Sequence, residues 1–115
     1  MLGLPKEKKV YIRPGKTDFR KSINGLSVLI QEEMGHDPFS GHYYIFCNRT
    51  KTMLKIVYWD RNGFCLWHKR LEEDRFRWPT VPEEVHEINR EEYLWLQRGL
   101  DFFNAHKNRR YASVI

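Results

Sequence analysis

The chain has 115 residues, 41% of them hydrophobic and 30% charged, with a formal net charge of +5. That length fits one domain with a modest core, and the composition excludes a disordered chain. No run approaches the ~18 consecutive apolar residues of a membrane span, and the charged N-terminus lacks the apolar stretch of a signal peptide, so a cytoplasmic, non-membrane protein is expected.

The charge is segregated. Residues 1–21 carry seven Lys/Arg against two acids and residues 49–78 eight against four, whereas residues 79–104 hold six acids against two bases. Separate basic and acidic faces follow, and a basic face most often meets phosphate. The two cysteines, Cys47 and Cys65, sit in apolar runs and read as free thiols, neither a disulfide framework nor a zinc site.

In chain order, Lys9 to Arg13 alternates as a short strand, which Pro14-Gly15 breaks. Thr17 can cap a helix whose stripe is Phe19, Ile23, Leu26, Ile30 and Met34, with Gly35 as its stop. Asp37 to Gly41 is a turn cluster. Tyr43 to Cys47, Met53 to Trp59 and Phe64 to His68 are three strands of antiparallel hairpins. The middle one is apolar on both faces, and Trp59 is expected buried against Ile23, Leu26 and Ile30. Phe76 to Trp78 is read as a short edge strand. Asn89 with Glu92 forms a capping box, opening a second helix with the stripe Tyr93, Leu96, Leu100 and Phe103. The fold class is α+β: a small antiparallel sheet, β-α-β-β-β-(β)-α, with two helices packed on it. Residues 1–104 form this single domain, and residues 105–115 a basic, frayed tail.

Gly15-Lys16-Thr17 has the look of a nucleotide-binding loop, but the required glycine five residues earlier is Val10, so no nucleotide cofactor is expected. Lys16, Arg20 and Lys21 crowd the predicted start of the first helix, where the macrodipole disfavours cations by ~0.3–1 kcal/mol each. Two readings stand: an anion docked on the helix end, or a solvated face with Asp18 as counter-ion. Arg49, Lys51, Lys55, Lys69, Arg70, Arg75 and Arg77 line the hairpins among Trp59, Trp67 and Trp78. Charges for phosphates beside rings for bases make these the candidate nucleic-acid residues. Lys55 interrupts an apolar run, so it either snorkels or faces a ligand. On the second helix Trp95 and Phe102 lie beside Gly99, away from the centre of the stripe. They form either a partner-binding shoulder or the margin of a wide core. Asp60 is read as opening a turn. The acids and histidines form no metal or hydrolytic pattern, so no catalytic residue and no metal site is expected.

The motifs Pro14 to Lys21, Asn24-Gly25-Leu26, Asp37 to Gly41, Asn48-Arg49, Tyr58-Trp59-Asp60, Gly63-Phe64, Lys69 to Glu72, Arg75-Phe76 and Trp78-Pro79 follow one another in order. Together they resemble the Orf2-like accessory proteins, called TnpB, of insertion sequence sixty-six elements. These are distinct from the RNA-guided nuclease that shares the abbreviation. The resemblance runs from about Val10 to Pro79. It implies a non-catalytic role in DNA transposition, with the catalytic acids on a separate transposase. DNA, that transposase and other accessory proteins of the element are the implied partners. Cys47, where a basic residue is common, and Glu73-Asp74, in place of a Lys-Gly or Arg-Gly turn, depart from the pattern and weaken the basic surface there. A protein-interaction module without direct DNA contact is the alternative.

Overall fold

A computed structural model of the chain describes residues 2–81 and 86–98. The elements are β1 (Val10–Lys16), α1 (Ile23–Glu32), β2 (Tyr43–Cys47), β3 (Met53–Asp60), β4 (Gly63–Arg70), β5 (Glu87–Ile88) and α2 (Arg90–Gln97). The sheet order is β4-β3-β2-β1-β5. This is the α+β domain expected, with a mostly antiparallel sheet and two helices.

All five residues of β2 are buried, which is what an uninterrupted apolar run does when both faces of its sheet are covered. On one face Tyr44, Phe46 and Val57 pack against Leu26, Leu29 and Ile30 of α1. On the other, Ile12, Tyr43, Ile45, Leu54 and Ile56 pack with Tyr93 and Leu96 of α2 and with Phe76 and Trp78. The capping box opens α2 as read: Asn89 Oδ1 accepts from Glu92 N (2.8 Å), and Glu92 Oε1 accepts from Asn89 N (3.0 Å). Gly35, at φ 70°, ends α1 in the left-handed conformation that a glycine stop supplies. The N-terminal segment is tied to the α2 face, since the Tyr93 hydroxyl donates to Leu2 O (2.7 Å) and the Tyr43 hydroxyl to Gly3 O (2.8 Å).

Several expectations are corrected. The sheet is not wholly antiparallel: β1 pairs parallel with β2, because α1 crosses between them and returns the chain in the same direction. Pro14-Gly15 does not end β1. The strand bulges there, with its register shifting between Ile12 and Lys16. Helix α1 starts at Ile23, with Ser22 rather than Thr17 at its cap. Thr17 N instead donates to Cys47 O (2.8 Å), prolonging the β1–β2 pairing. Asp18 then holds a turn, accepting from Arg20 N on its side chain (3.0 Å) and from Lys21 N on its carbonyl (3.1 Å), a local arrangement that competes with helix.

Trp59 is half-buried and stands edge-on to Phe39 and Phe64, each with its centroid 5.0 Å away. It is not packed on Ile23, Leu26 and Ile30, because Val57, two residues earlier on the same face, takes the helix contact. Phe76 to Trp78 forms no strand, although Phe76 and Trp78 are both buried. The strand beyond β1 is Glu87–Ile88. Of the second stripe, Tyr93 and Leu96 are buried. Leu100, Phe103 and the tail 105–115 lie outside the described residues.

Candidate nucleic-acid interface

The bulge at the end of β1 is where the basic residues begin to converge. Gly15 adopts φ 81°, a left-handed conformation that costs glycine nothing. Its N–H donates to Pro79 O (2.8 Å), and its carbonyl accepts from Trp78 Nε1 (3.0 Å), which also donates to Arg13 O (3.1 Å). The Arg13 guanidinium donates to Lys16 O and to Thr17 Oγ1, both at 2.9 Å, and pairs with Glu33, the residue that caps the C-terminus of α1. The indole therefore holds the bulge that leads into Lys16, and the guanidinium holds Lys16 and Thr17 themselves.

The opposite wall is the β2–β3 turn, organised by Asn48. Its Oδ1 accepts from Thr52 N (2.9 Å) and Met53 N (3.1 Å), and its Nδ2 donates to Thr52 Oγ1 (3.1 Å). Lys51, in the left-handed region at φ 62°, closes the turn through its N–H to Asn48 O (3.2 Å).

Between the two walls lies a hollow of about 520 Å³ lined by Lys16 to Arg20 and Asn48 to Thr50. An adjoining one of about 370 Å³ shares Lys16, Asn48 and Arg49 and adds Gly15, Lys51, Trp78 and Thr80. Lys16, Arg20, Arg49 and Lys51 thus surround one groove. Among the described residues Lys16, Arg49 and Lys51 enter no ion pair. Arg20 pairs with Asp18 at 2.8 Å, its side chain 92% exposed. The hydrogen bonds from Arg20 hold the Asp18 carboxyl down at about 2, so Asp18 stays ionised and partly neutralises Arg20. Lys21 is exposed next to them, just before Ser22. Because α1 starts only at Ile23, Lys16 and Arg20 do not crowd its first turn, and Ser22 makes no side-chain cap bond.

The other candidates are spread more widely. Lys55 is only 8% exposed, and its ammonium donates to Phe19 O (2.9 Å). Lys69 pairs in register with Leu54, on the face that α2 covers, and its Nζ donates to Gln97 O (2.6 Å) at the C-terminal end of α2. Arg70 pairs with Glu72 (2.9 Å). Arg75 and Arg77 are exposed and flank Phe76, whose N–H donates to Lys51 O (2.6 Å), so their backbone runs beside the β2–β3 turn. Trp95 is partly buried and packs against the α2-side core, while Phe102 lies outside the described residues. The ten candidate cations therefore do not share one surface: Lys16, Arg20, Arg49 and Lys51 meet, and Lys55 and Lys69 serve internal contacts. Sequence reasoning named Asn48 only within a family motif and gave neither it nor Arg13 a role in the site. The position of Asn48, directly after a strand, was the available signal for a turn organiser.

Residues 8–107 match the family described as IS66 Orf2 like protein. The chain belongs to that family. Its members are accessory proteins of insertion-sequence transposition and not a known catalytic class. Two proteins of Sinorhizobium fredii are similar along most of their length. One, named uncharacterized protein y4hO, is 30% identical over 114 residues, covering 99% of each chain. The other, uncharacterized protein y4jC, is 30% identical over 102 residues, covering 89% of this chain and 87% of its own. No solved structure matches the chain.

Among the described residues no three His, Cys, Asp or Glu side chains group so as to hold a metal ion. No described helix is long and apolar enough to cross a membrane. Cys47 and Cys65 are free, and burial pushes the Cys47 thiol up to about 12, far from a reactive thiolate. Asp60 closes the β3–β4 hairpin as a turn residue, its carbonyl accepting from Asn62 N.

Proposed function

We propose that this IS66 Orf2-like chain is a non-catalytic accessory protein that binds element DNA through the groove between Lys16 to Arg20 and Asn48 to Lys51. What supports the reading is the convergence of four cations on two hydrogen-bonded walls, three of them in no ion pair among the described residues. Fixed cations of this kind suit a phosphate backbone, since binding releases the counterions condensed on DNA. The groove itself offers few rings: Phe19 is half-buried and Trp78 buried. Backbone contact, which positions DNA without reading its sequence, is the mode it suits.

The test is the salt dependence of duplex binding by the purified protein. Engagement of Lys16, Arg20, Arg49 and Lys51 predicts a log–log slope of roughly −3 to −4, at about −0.9 per phosphate. Absence of duplex binding at low salt would remove the proposal.

A second reading, contact with the transposase or another accessory protein of the element, draws on a different feature. Val28 (55% exposed) and Phe39 (57% exposed) are large apolar side chains left open to solvent. Capture of the partner that persists at high salt would favour this reading.

A further inference from the structure

Lys55 is a buried cation on the face of the sheet that α1 covers. It sits on β3, an interior strand, flanked in register by Phe46 of β2 and His68 of β4, and it is only 8% exposed. No carboxylate pairs with it among the described residues. Its ammonium is satisfied by backbone carbonyls, Phe19 O at 2.9 Å and Lys21 O at 3.5 Å, and lies 4.8 Å from the centroid of the Phe19 ring. An uncompensated buried ammonium opposes folding unless carbonyl dipoles and a ring face replace its water. An apolar side chain would fill the same space without that cost. The partners it chose belong to the segment that forms one wall of the groove, since Phe19 and Arg20 line it.

On the reading that the groove holds DNA phosphate, we infer that Lys55 is a positioning residue for phosphate binding, acting through the Phe19–Lys21 segment rather than by contact. It contributes in two ways. It pins the carbonyls of Phe19 and Lys21 to the sheet, which fixes the backbone from which Arg20 and Lys21 project. It also places a positive charge beneath the groove on the low-dielectric side, where salt screens it less than the exposed cations. Lys8 and Lys69 also donate to backbone carbonyls, but to Gly41 O and Gln97 O, and lack this link.

The experiment compares wild type, Lys55→Met, Lys55→Arg and Arg49→Ala by duplex affinity across about 50–200 mM salt. Amide hydrogen exchange at Arg20 and Lys21 is measured in parallel without DNA; both amides bond to Asp18 in the structure. Lys55→Met is expected to keep the fold, to exchange at these two amides about tenfold faster, and to bind about tenfold more weakly. Its log–log slope should stay that of wild type, whereas Arg49→Ala loses roughly 0.9 from the slope. Lys55→Arg should recover both exchange protection and affinity. Wild-type exchange and affinity in Lys55→Met would overturn the inference, and so would a slope loss like that of Arg49→Ala, which would make Lys55 a direct contact. If Lys55→Met fails to fold, Lys55→Arg decides: weakened binding with exchange left at the wild-type rate overturns it. If wild type does not bind duplex, the DNA reading fails by itself, and the exchange measurement alone decides whether Lys55 holds the segment.

Discussion

Trp78→Ala is expected to destabilise the domain by about 3–5 kcal/mol, the range for deleting a large buried aromatic side chain. Trp78 is 5% exposed and packs in the α2-side core. Its indole N–H donates to both Arg13 O and Gly15 O, the carbonyls on either side of Pro14 in the β1 bulge. Loss of the ring therefore opens a cavity and removes a donor that two carbonyls share. Trp78→Phe separates these effects, keeping much of the volume while losing the donor, for a smaller cost of about 1–3 kcal/mol. Urea unfolding monitored by circular dichroism measures both. A domain this size has roughly 5–15 kcal/mol in total, so a loss below about 1 kcal/mol in Trp78→Ala would show that the 71–80 segment does not support the sheet.

Arg49→Glu should weaken duplex binding by on the order of tenfold to a hundredfold at low salt, while leaving the unfolding midpoint nearly unchanged. Arg49 is exposed, lines both hollows and enters no ion pair among the described residues. Its replacement removes one phosphate contact and adds a repulsive charge at the same point. Lys69→Met makes the contrast. It should lower stability, by loosening the end of α2, without changing the salt slope. Equal losses of DNA binding in the two variants would mean that charge in general matters and the groove does not.

Much of this architecture is legible from the sequence, for physical reasons that also explain the failures. Strands β2, β3 and β4 announce themselves through branched and aromatic runs separated by Asn- and Gly-containing turns. The Asn89–Glu92 box and Gly35 mark helix ends because capping is a local interaction. The β1 bulge is not local. Pro14-Gly15 ordinarily breaks a strand, and here Trp78 and Pro79, more than sixty residues downstream, supply its partners. Residues 17–22 contain a helix signal that is overridden by the pairing of Thr17 with Cys47 and by the Asp18 turn.

The site was legible as a set of cations, but not as a place. Lys55 and Lys69 read alike in sequence. Strand alternation puts them on opposite faces of the sheet, since Lys55 faces α1 and Lys69 pairs with Leu54. Each spends its ammonium on a carbonyl from a distant segment, Phe19 in one case and Gln97 in the other. Arg49 and Lys51 meet Lys16 only because β1 and β2 run parallel, which brings the end of β1 beside the β2–β3 turn. Nothing in the spacing of residues 16 and 49 encodes that.

The most direct test of the groove is backbone amide chemical-shift mapping of the isotopically labelled protein as a DNA duplex is added. The account predicts shifts concentrated at residues 15–21 and 48–52, saturating together and reversing as salt rises, with the α2-side residues Lys69, Tyr93 and Gln97 unmoved. Shifts confined to the α2 face, or to the Phe39–Trp59–Phe64 cluster with residues 16–20 and 48–51 unchanged, would contradict it.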